Sequence, residues 1–154
     1  MQNQNEFKLY RIISAIIMQN EKILLVLNKD EYSNNLWGLP GGVIEKDENL
    51  LESLKREIWE EVGLTFTDVK IAYVHESFIP QYSAHSLVTT FEVNIIGNKP
   101  KIQDPDGEII DYKWVDVNEI ENFIKNSAVL LPLKNWLKNR NSCEYFFNEN
   151  LVWN

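Results

Sequence analysis

The stretch GVIEKDENLLESLKREIWEEVGL, running from Gly42 to Leu64, decides how this chain is read. It sets Gly42, Glu48, Arg56, Glu57, Glu60, Glu61 and Gly63 at fixed offsets, with apolar Ile58 and Leu64 among them. Asp47 is a good N-cap, and residues 48–62 hold neither Gly nor Pro, so the spacing predicts a helix there. At about 100° per residue, Leu51, Leu54, Ile58 and Val62 form one apolar stripe that should face a core. Glu57, Glu60 and Glu61 fall on a neighbouring face, with Glu57 and Glu61 one turn apart. Gly63 stands where a left-handed C-cap would end the helix.

Three carboxylates on one helical face repel only weakly in water, and they concentrate hard oxygen ligands. Mg²⁺ takes a few carboxylates together with waters and phosphate oxygens, so the pattern suits Mg²⁺, with Mn²⁺ able to substitute. Arg56 can hold one of the carboxylates by a charge-assisted hydrogen bond. Just upstream, LWGLPGG (Leu36 to Gly42) offers Pro40 as a rigid entry and Gly41–Gly42 for close backbone approach to metal or phosphate. A glutamate-rich face with Lys and Arg is ordinarily a solvated surface. Here the glycine loop, the Arg56–Glu57 pair and Gly63 all sit at the offsets of a signature that the stretch resembles, that of the Nudix hydrolases, and the resemblance favours chemistry.

Position for position, the stretch resembles the signature of the Nudix hydrolases: Gly, five residues, Glu, seven residues, then Arg-Glu-apolar-any-Glu-Glu-any-Gly-apolar. The resemblance implies a Mg²⁺-dependent pyrophosphohydrolase acting on a nucleoside diphosphate linked to another group. It also implies an α/β/α sandwich with a mixed β-sheet, in which residues 42–64 form the catalytic loop–helix–loop. Glu57, Glu60 and Glu61, with the backbone of Gly41 and Gly42, would hold the metal; Glu57, Glu60 and Arg56 would be catalytic. Family members supply a further acid before a late strand. The candidates are Asp104, Asp106, Glu108 and Asp111, of which Glu108 best resembles that placement, against the alternative that it is a solvated loop carboxylate; Asp104→Asn and Asp106→Asn are expected to be nearly silent. Glu57 itself is the alternative base.

Two family markers point to different substrates. Pro80, sixteen residues beyond Leu64, resembles the ADP-ribose pyrophosphatases; Tyr82, eighteen beyond, resembles the dinucleoside polyphosphate hydrolases. ADP-ribose is slightly preferred as substrate. A house-cleaning (d)NTP pyrophosphohydrolase, including one for 8-oxo-dGTP, is the rival. A non-catalytic nucleotide sensor is the reading from a different class. Phe78, Tyr82 and His85 are candidates to stack on or hydrogen-bond a base, against the alternative that they pack the core and rim. His75 reads as a packing or surface residue.

At 154 residues the chain is expected to be a single domain, 1–154, with the segment from about 141 unassigned. Apolar residues at 44% and charged residues at 25% are ordinary for a globular protein. A net charge of −8 without a basic cluster argues against nucleic acid polymers as partners, leaving a small nucleotide as substrate. A homodimer stays open. The lone Cys143 excludes an internal disulfide and suits a reducing cytoplasm. The N-terminus is unlike a signal peptide, and Ile12 to Met18 is far too short to span a membrane.

Strands are expected over 8–18 and 21–27 about a turn at Gln19–Asn20, then at 36–39, along 66–78 as one or two strands, at 85–96 and at 108–115. Helices are expected over 117–125, capped by Asn118, and over 131–140. The aromatic tail, with Tyr145, Phe146, Phe147 and Trp153, should dock on the body. Strands on both sides of one central helix, with helices at the end, imply a mixed sheet covered on two sides.

Overall fold

The computed structural model describes residues 6–29, 34–97 and 99–152. Its first hairpin joins β1 (Lys8–Gln19) to β2 (Lys22–Asn28) through Asn20 and Glu21, both at positive φ, 50° and 58°. Two left-handed residues in a row make the tight turn that matches the twist of paired strands. The turn therefore lies one residue later than expected, with Asn20, which tolerates this conformation, in its first position.

The strand period of two then sorts the apolar residues between two faces. Ile13, Ala15 and Ile17 of β1 join Leu24 and Val26 of β2 in a core shared with Leu54, Ile58 and Val62. Ile16, Ile23 and Leu25 face the other way, against Leu133 and Trp136. Strands that are apolar on both faces need a cover on both sides, and two helices supply it. α1 (Leu50–Val62) covers the first face and α2 (Ser127–Asn139) the second.

The remaining strands are β3 (Leu36–Gly38), β4 (Gly41–Val43), β5 (Thr65–Ile79), β6 (Ala84–Ile96) and β7 (Ile109–Asp116). The order is β3-β2-β1-β6-β5, with β4 paired to β1 and β7 to β2. β1 and β6 are parallel and the other pairs antiparallel, so the sheet is mixed as expected. One edge of β1 is shared: β2 pairs at Met18 and Gln19, and β4 pairs at Ile12 to Ser14. That division lays the glycine loop directly against β1.

Four local expectations are corrected. The central helix begins at Leu50 with Asn49, not Asp47, as its cap. Asn49 Oδ1 accepts from Glu52 N at 2.8 Å and Glu52 Oε2 accepts from Asn49 N at 2.9 Å, a reciprocal pair that Asp47, three residues before apolar Leu50, could not form. Over 117–125 there is only a 3₁₀ turn, Ile120–Asn122; Ile120 and Ile124 are buried as a helix would bury them, but the segment is too short to propagate. Asn118 caps nothing and instead bonds Asp116 Oδ1. The last helix starts at Ser127, capped by Asn126, with Pro132 inside it. The tail docks in part: Cys143 pairs with Ile71 through two backbone hydrogen bonds of 2.8 Å, and Tyr145 meets Phe91 edge-on at 5.8 Å. Phe146, Phe147, Leu151 and Val152 are exposed, and Trp153 lies outside the described residues. Among the described residues no helix is long and apolar enough to cross a membrane.

Candidate active site

α1 turns its glutamates toward the glycine loop, and the loop is shaped to receive them. Gly41 N donates to Glu61 Oε2 at 3.0 Å. At Gly42 a Cβ would stand 2.5 Å from Glu57 Oε1, so the carboxylate rests on bare backbone. Arg56 gathers the rest. Its Nε and Nη2 donate to the two oxygens of Glu48 at 2.8 and 2.9 Å, a bidentate grip. Its Nη1 donates to Glu57 Oε1 at 2.8 Å and Glu60 Oε2 at 3.2 Å. Glu48, Arg56, Glu57, Glu60, Glu61, Gly41 and Gly42 are thus brought together.

Burial sets the electrostatics. Glu61 is 6% exposed, and loss of water pushes its carboxyl up to about 9; the Gly41 N–H opposes this, while Glu57, Asp104 and Glu108 add like charge. Half-buried Glu57 is also raised, chiefly by burial, with Arg56 pulling against it. Glu48 is held below the usual range by Arg56.

A buried carboxyl with one N–H partner and three acids around it lacks positive charge, which a divalent cation would supply. The donors are hard oxygens, as Mg²⁺ or Mn²⁺ requires. Among the described residues no three His, Cys, Asp or Glu side chains stand together as a set that could hold a metal ion. Mg²⁺ keeps several waters and takes only one or two carboxylates, so an open site fits it.

Asp104, Asp106 and Glu108 lie in the loop before β7, and Asp111 lies within the strand. Asp104 is half-buried and organises the loop, accepting from the backbone N–H groups of Asp106, Glu108 and Ile109 at 3.2, 2.7 and 2.9 Å. Glu108 is exposed, with its backbone carbonyl fixed by Lys29 N at 2.7 Å and its charge felt by Glu61. Asp106 and Asp111 are exposed.

Beside Gly41 and Gly42 lies a cavity of about 340 Å³, walled by Trp37, Leu39, Tyr73, His75, Val88 and Val129 and floored by Ser14 and Thr90. Phe78, Tyr82 and His85 do not line it. His85 lies five residues along β6 from Thr90, about 17 Å at a strand's rise. Phe78 stacks on His85 with centroids 4.2 Å apart, His85 Nε2 meets Glu76 Oε2 at 2.9 Å, and Tyr82 is exposed. Of the cavity residues, Gly41 and Gly42 are the ones to which the sequence points; Ser14, Tyr73, Val88, Thr90 and Val129 belong to no linear motif, and His75 reads there as a packing or surface residue. Burial lowers its pKa and so keeps the imidazole neutral, and its Nδ1 has no hydrogen-bond partner among the described residues. The one available signal was polar Ser14 and Thr90 interrupting apolar strands.

A glycine loop seated under a glutamate helix, inside a mixed sheet covered on both faces, defines a class of pyrophosphate-cleaving enzyme. The family model described as the NUDIX domain matches residues 9–137. The chain belongs to the Nudix family and is a hydrolase acting on pyrophosphate bonds. It is 30% identical over 112 residues to an 8-oxo-dGTP diphosphatase of Buchnera aphidicola subsp. Schizaphis graminum, covering 73% of this chain and 80% of that protein. It is also 30% identical over 119 residues to the phosphatase NudJ of Shigella boydii, covering 77% of this chain and 74% of the relative. The structure of a Nudix hydrolase from Nitrosomonas europaea shares the fold with a TM-score of 0.77 at 20% identity, over 90% of this chain and 98% of that one. Nudix hydrolases act on small nucleotides and generally use divalent metal ions.

Proposed function

We propose that the chain, folding as a single Nudix domain and acting in the cytoplasm, is a Mg²⁺-dependent nucleoside triphosphate pyrophosphohydrolase of the 8-oxo-dGTP diphosphatase kind. The observation that carries this is the buried, charge-crowded Glu61 carboxyl set beside a nucleoside-sized cavity. Of Glu57, Glu60 and Glu61, one or two at a time would hold Mg²⁺, or Mn²⁺ in its place, with water and phosphate oxygens completing its shell. A bound ion there would supply positive charge to neutralise the pyrophosphate and stabilise the leaving group. Arg56 orients Glu57 and Glu60 by the hydrogen bonds it already makes. The Gly41–Gly42 backbone lets the phosphates approach closely, and the cavity takes the nucleoside. Glu108, on a loop organised by Asp104, accepts the proton of the attacking water; Glu57 is the alternative base.

The substrate preference differs from the one drawn from the sequence. Pro80 and Tyr82, the two marker residues, form a 3₁₀ turn at the end of β5, away from the cavity. The relative named above supports a triphosphate. ADP-ribose remains the second reading, on the strength of Pro80 alone. Retention of every glutamate of the signature disfavours a purely sensing role.

Product analysis separates these readings. With Mg²⁺, 8-oxo-dGTP or dGTP should yield the nucleoside monophosphate and pyrophosphate, and EDTA should abolish turnover. AMP and ribose 5-phosphate from ADP-ribose, with triphosphates untouched, would replace the first reading with the second. Full turnover in excess chelator would sink the metal assignment.

A further inference from the structure

The segment 101–108, which leads into β7, grips the glutamate helix at one end and Glu108 at the other. Lys101 N donates to Val62 O at 2.8 Å; Val62 ends α1, so its carbonyl has no partner within the helix. Gln103 Nε2 donates at 2.6 Å to Trp59 O, which also accepts from Gly63 N at 3.0 Å. Both carbonyls belong to the turn 59–62, the turn that carries Glu60 and Glu61. One residue after Gln103, the Asp104 carboxylate is occupied by backbone. Its Oδ2 accepts from Glu108 N at 2.7 Å and from Ile109 N at 2.9 Å, and its Oδ1 accepts from Asp106 N at 3.2 Å. Glu108 O in turn accepts from Lys29 N at 2.7 Å. Both polar backbone groups of Glu108 are therefore held, while its side chain is left exposed. Asp104 and Glu108 both lie close enough to Glu61 for their charges to act on it. Of the two, Asp104 has spent its oxygens on N–H groups, and Glu108 has not.

We propose that Gln103 and Asp104 are positioning residues: Gln103 ties the acid loop to the last turn of α1, and Asp104 fixes the backbone of Glu108 so that its carboxylate meets the attacking water. The proposal rests on the reading that Glu108 is the base. A proton acceptor works from a defined place, and a displacement of about 1 Å can cost about 10²-fold in rate. For an exposed side chain that place is set by the backbone beneath it. An anion accepting backbone N–H groups sets it firmly, since such bonds are roughly twice as strong as neutral ones. Neither Gln103 nor Asp104 lines the cavity, so losing either should leave substrate binding alone. The geometry also says which substitutions matter. Glu108 and Ile109 share Oδ2, so the single carbonyl oxygen of an asparagine can serve both, and only the Asp106 bond is given up. Alanine gives up all three.

Steady-state rates of the full chain with Mg²⁺ test this, on 8-oxo-dGTP or, if that is the compound turned over, on ADP-ribose. Asp104→Ala should lower kcat about tenfold or more with KM within about twofold, and Asp104→Asn should recover kcat to within about threefold of wild type. In a Glu108→Gln background, Asp104→Ala should cost less than about twofold further, because no base is left to place. Gln103→Met keeps the side chain's length and removes its donor. Its loss, about threefold or more in kcat, should vanish in the same background. A wild-type kcat in Asp104→Ala, or a loss equally large with and without Glu108, would overturn the proposal, since a merely structural defect persists in either background. The same results in Gln103→Met would overturn the tether to α1. Should Asp104→Ala not fold, the Gln103→Met cycle decides. Failure of the base reading shows separately, as a wild-type kcat in Glu108→Gln alone, and takes this proposal with it.

Discussion

A methyl group on Gly42 would stand 2.5 Å from Glu57 Oε1 and 2.6 Å from Glu57 Cδ. The obstacle is the far end of a flexible side chain, so the backbone need not move. Gly42→Ala should therefore leave the melting temperature within about 2 °C of wild type, yet displace Glu57 and cut kcat by about tenfold or more. Gly41→Ala is a different case. Its methyl would run into the Ile13 carbonyl and come within 2.7 Å of Ser14 Cα, at a φ of 154°, so the β1–β4 pairing must shift and stability should fall. Thermal unfolding and steady-state rates of both variants check the pair; an unimpaired Gly42→Ala would remove Glu57 from the ligand set. Glu108→Gln should lose kcat far more than KM, and a wild-type kcat beside a dead Glu57→Gln would move the base to Glu57. The residues around these glycines were legible because they are contiguous, so one helix brings their spacing straight into space. Tyr73, Thr90 and Ser14 were not, because Ser14 and Thr90 are 76 residues apart and meet only through strand pairing. Phe78 and His85 look like base contacts in a linear reading, but the β5–β6 register pairs them with each other.

Elements with a strong period and a punctuating residue were read well from the sequence. α1 has its apolar stripe and Gly63 at φ 63°, and only its first turn was misjudged, since two polar caps competed and the one with a glutamate three residues on prevailed. The segment 117–125 has helical spacing at Ile120 and Ile124 but is anchored at Asp116, whose carboxylate bonds Asn118 and keeps the chain in a turn. The tail shows the same mixture. Its aromatic content announced docking, but which ring docks depends on β5 and β6: Cys143 pairs on the β5 edge, and that sets half-buried Tyr145 against Phe91. Tyr145→Ala should cost about 2 kcal/mol and lower the melting temperature by about 4–8 °C. Phe146→Ala, at a residue 81% exposed, should change it by less than about 2 °C. Equal shifts in calorimetry would mean the tail is not held by Tyr145.

For the molecule as a whole, the site is a source of instability that the metal should remove. Glu61 titrates near its ordinary 4.5 when unfolded and at about 9 when folded, mainly because it is buried. A folded pKa above the unfolded one means that unfolding releases a proton between those values. The stability tied to the protonated carboxyl is therefore fully present below about 4.5 and declines as pH climbs toward 9. Glu57, raised by burial too, acts in the same direction. Without metal, Glu61→Gln should match the wild type in melting temperature near pH 5 and exceed it by about 2–4 °C or more near pH 8, for at least about 1 kcal/mol recovered. Mg²⁺ should reverse the ordering, because it favours the ionised carboxylate and binds only the folded chain. Its stabilisation of the wild type should grow from pH 6 to pH 8.5 and be largely absent in Glu61→Gln. Thermal unfolding in EDTA and in Mg²⁺ across that range tests both halves. A difference between the two proteins that stays flat with pH in EDTA would show that Glu61 is ionised in the metal-free fold, and a pH-independent Mg²⁺ effect would place the ion away from it.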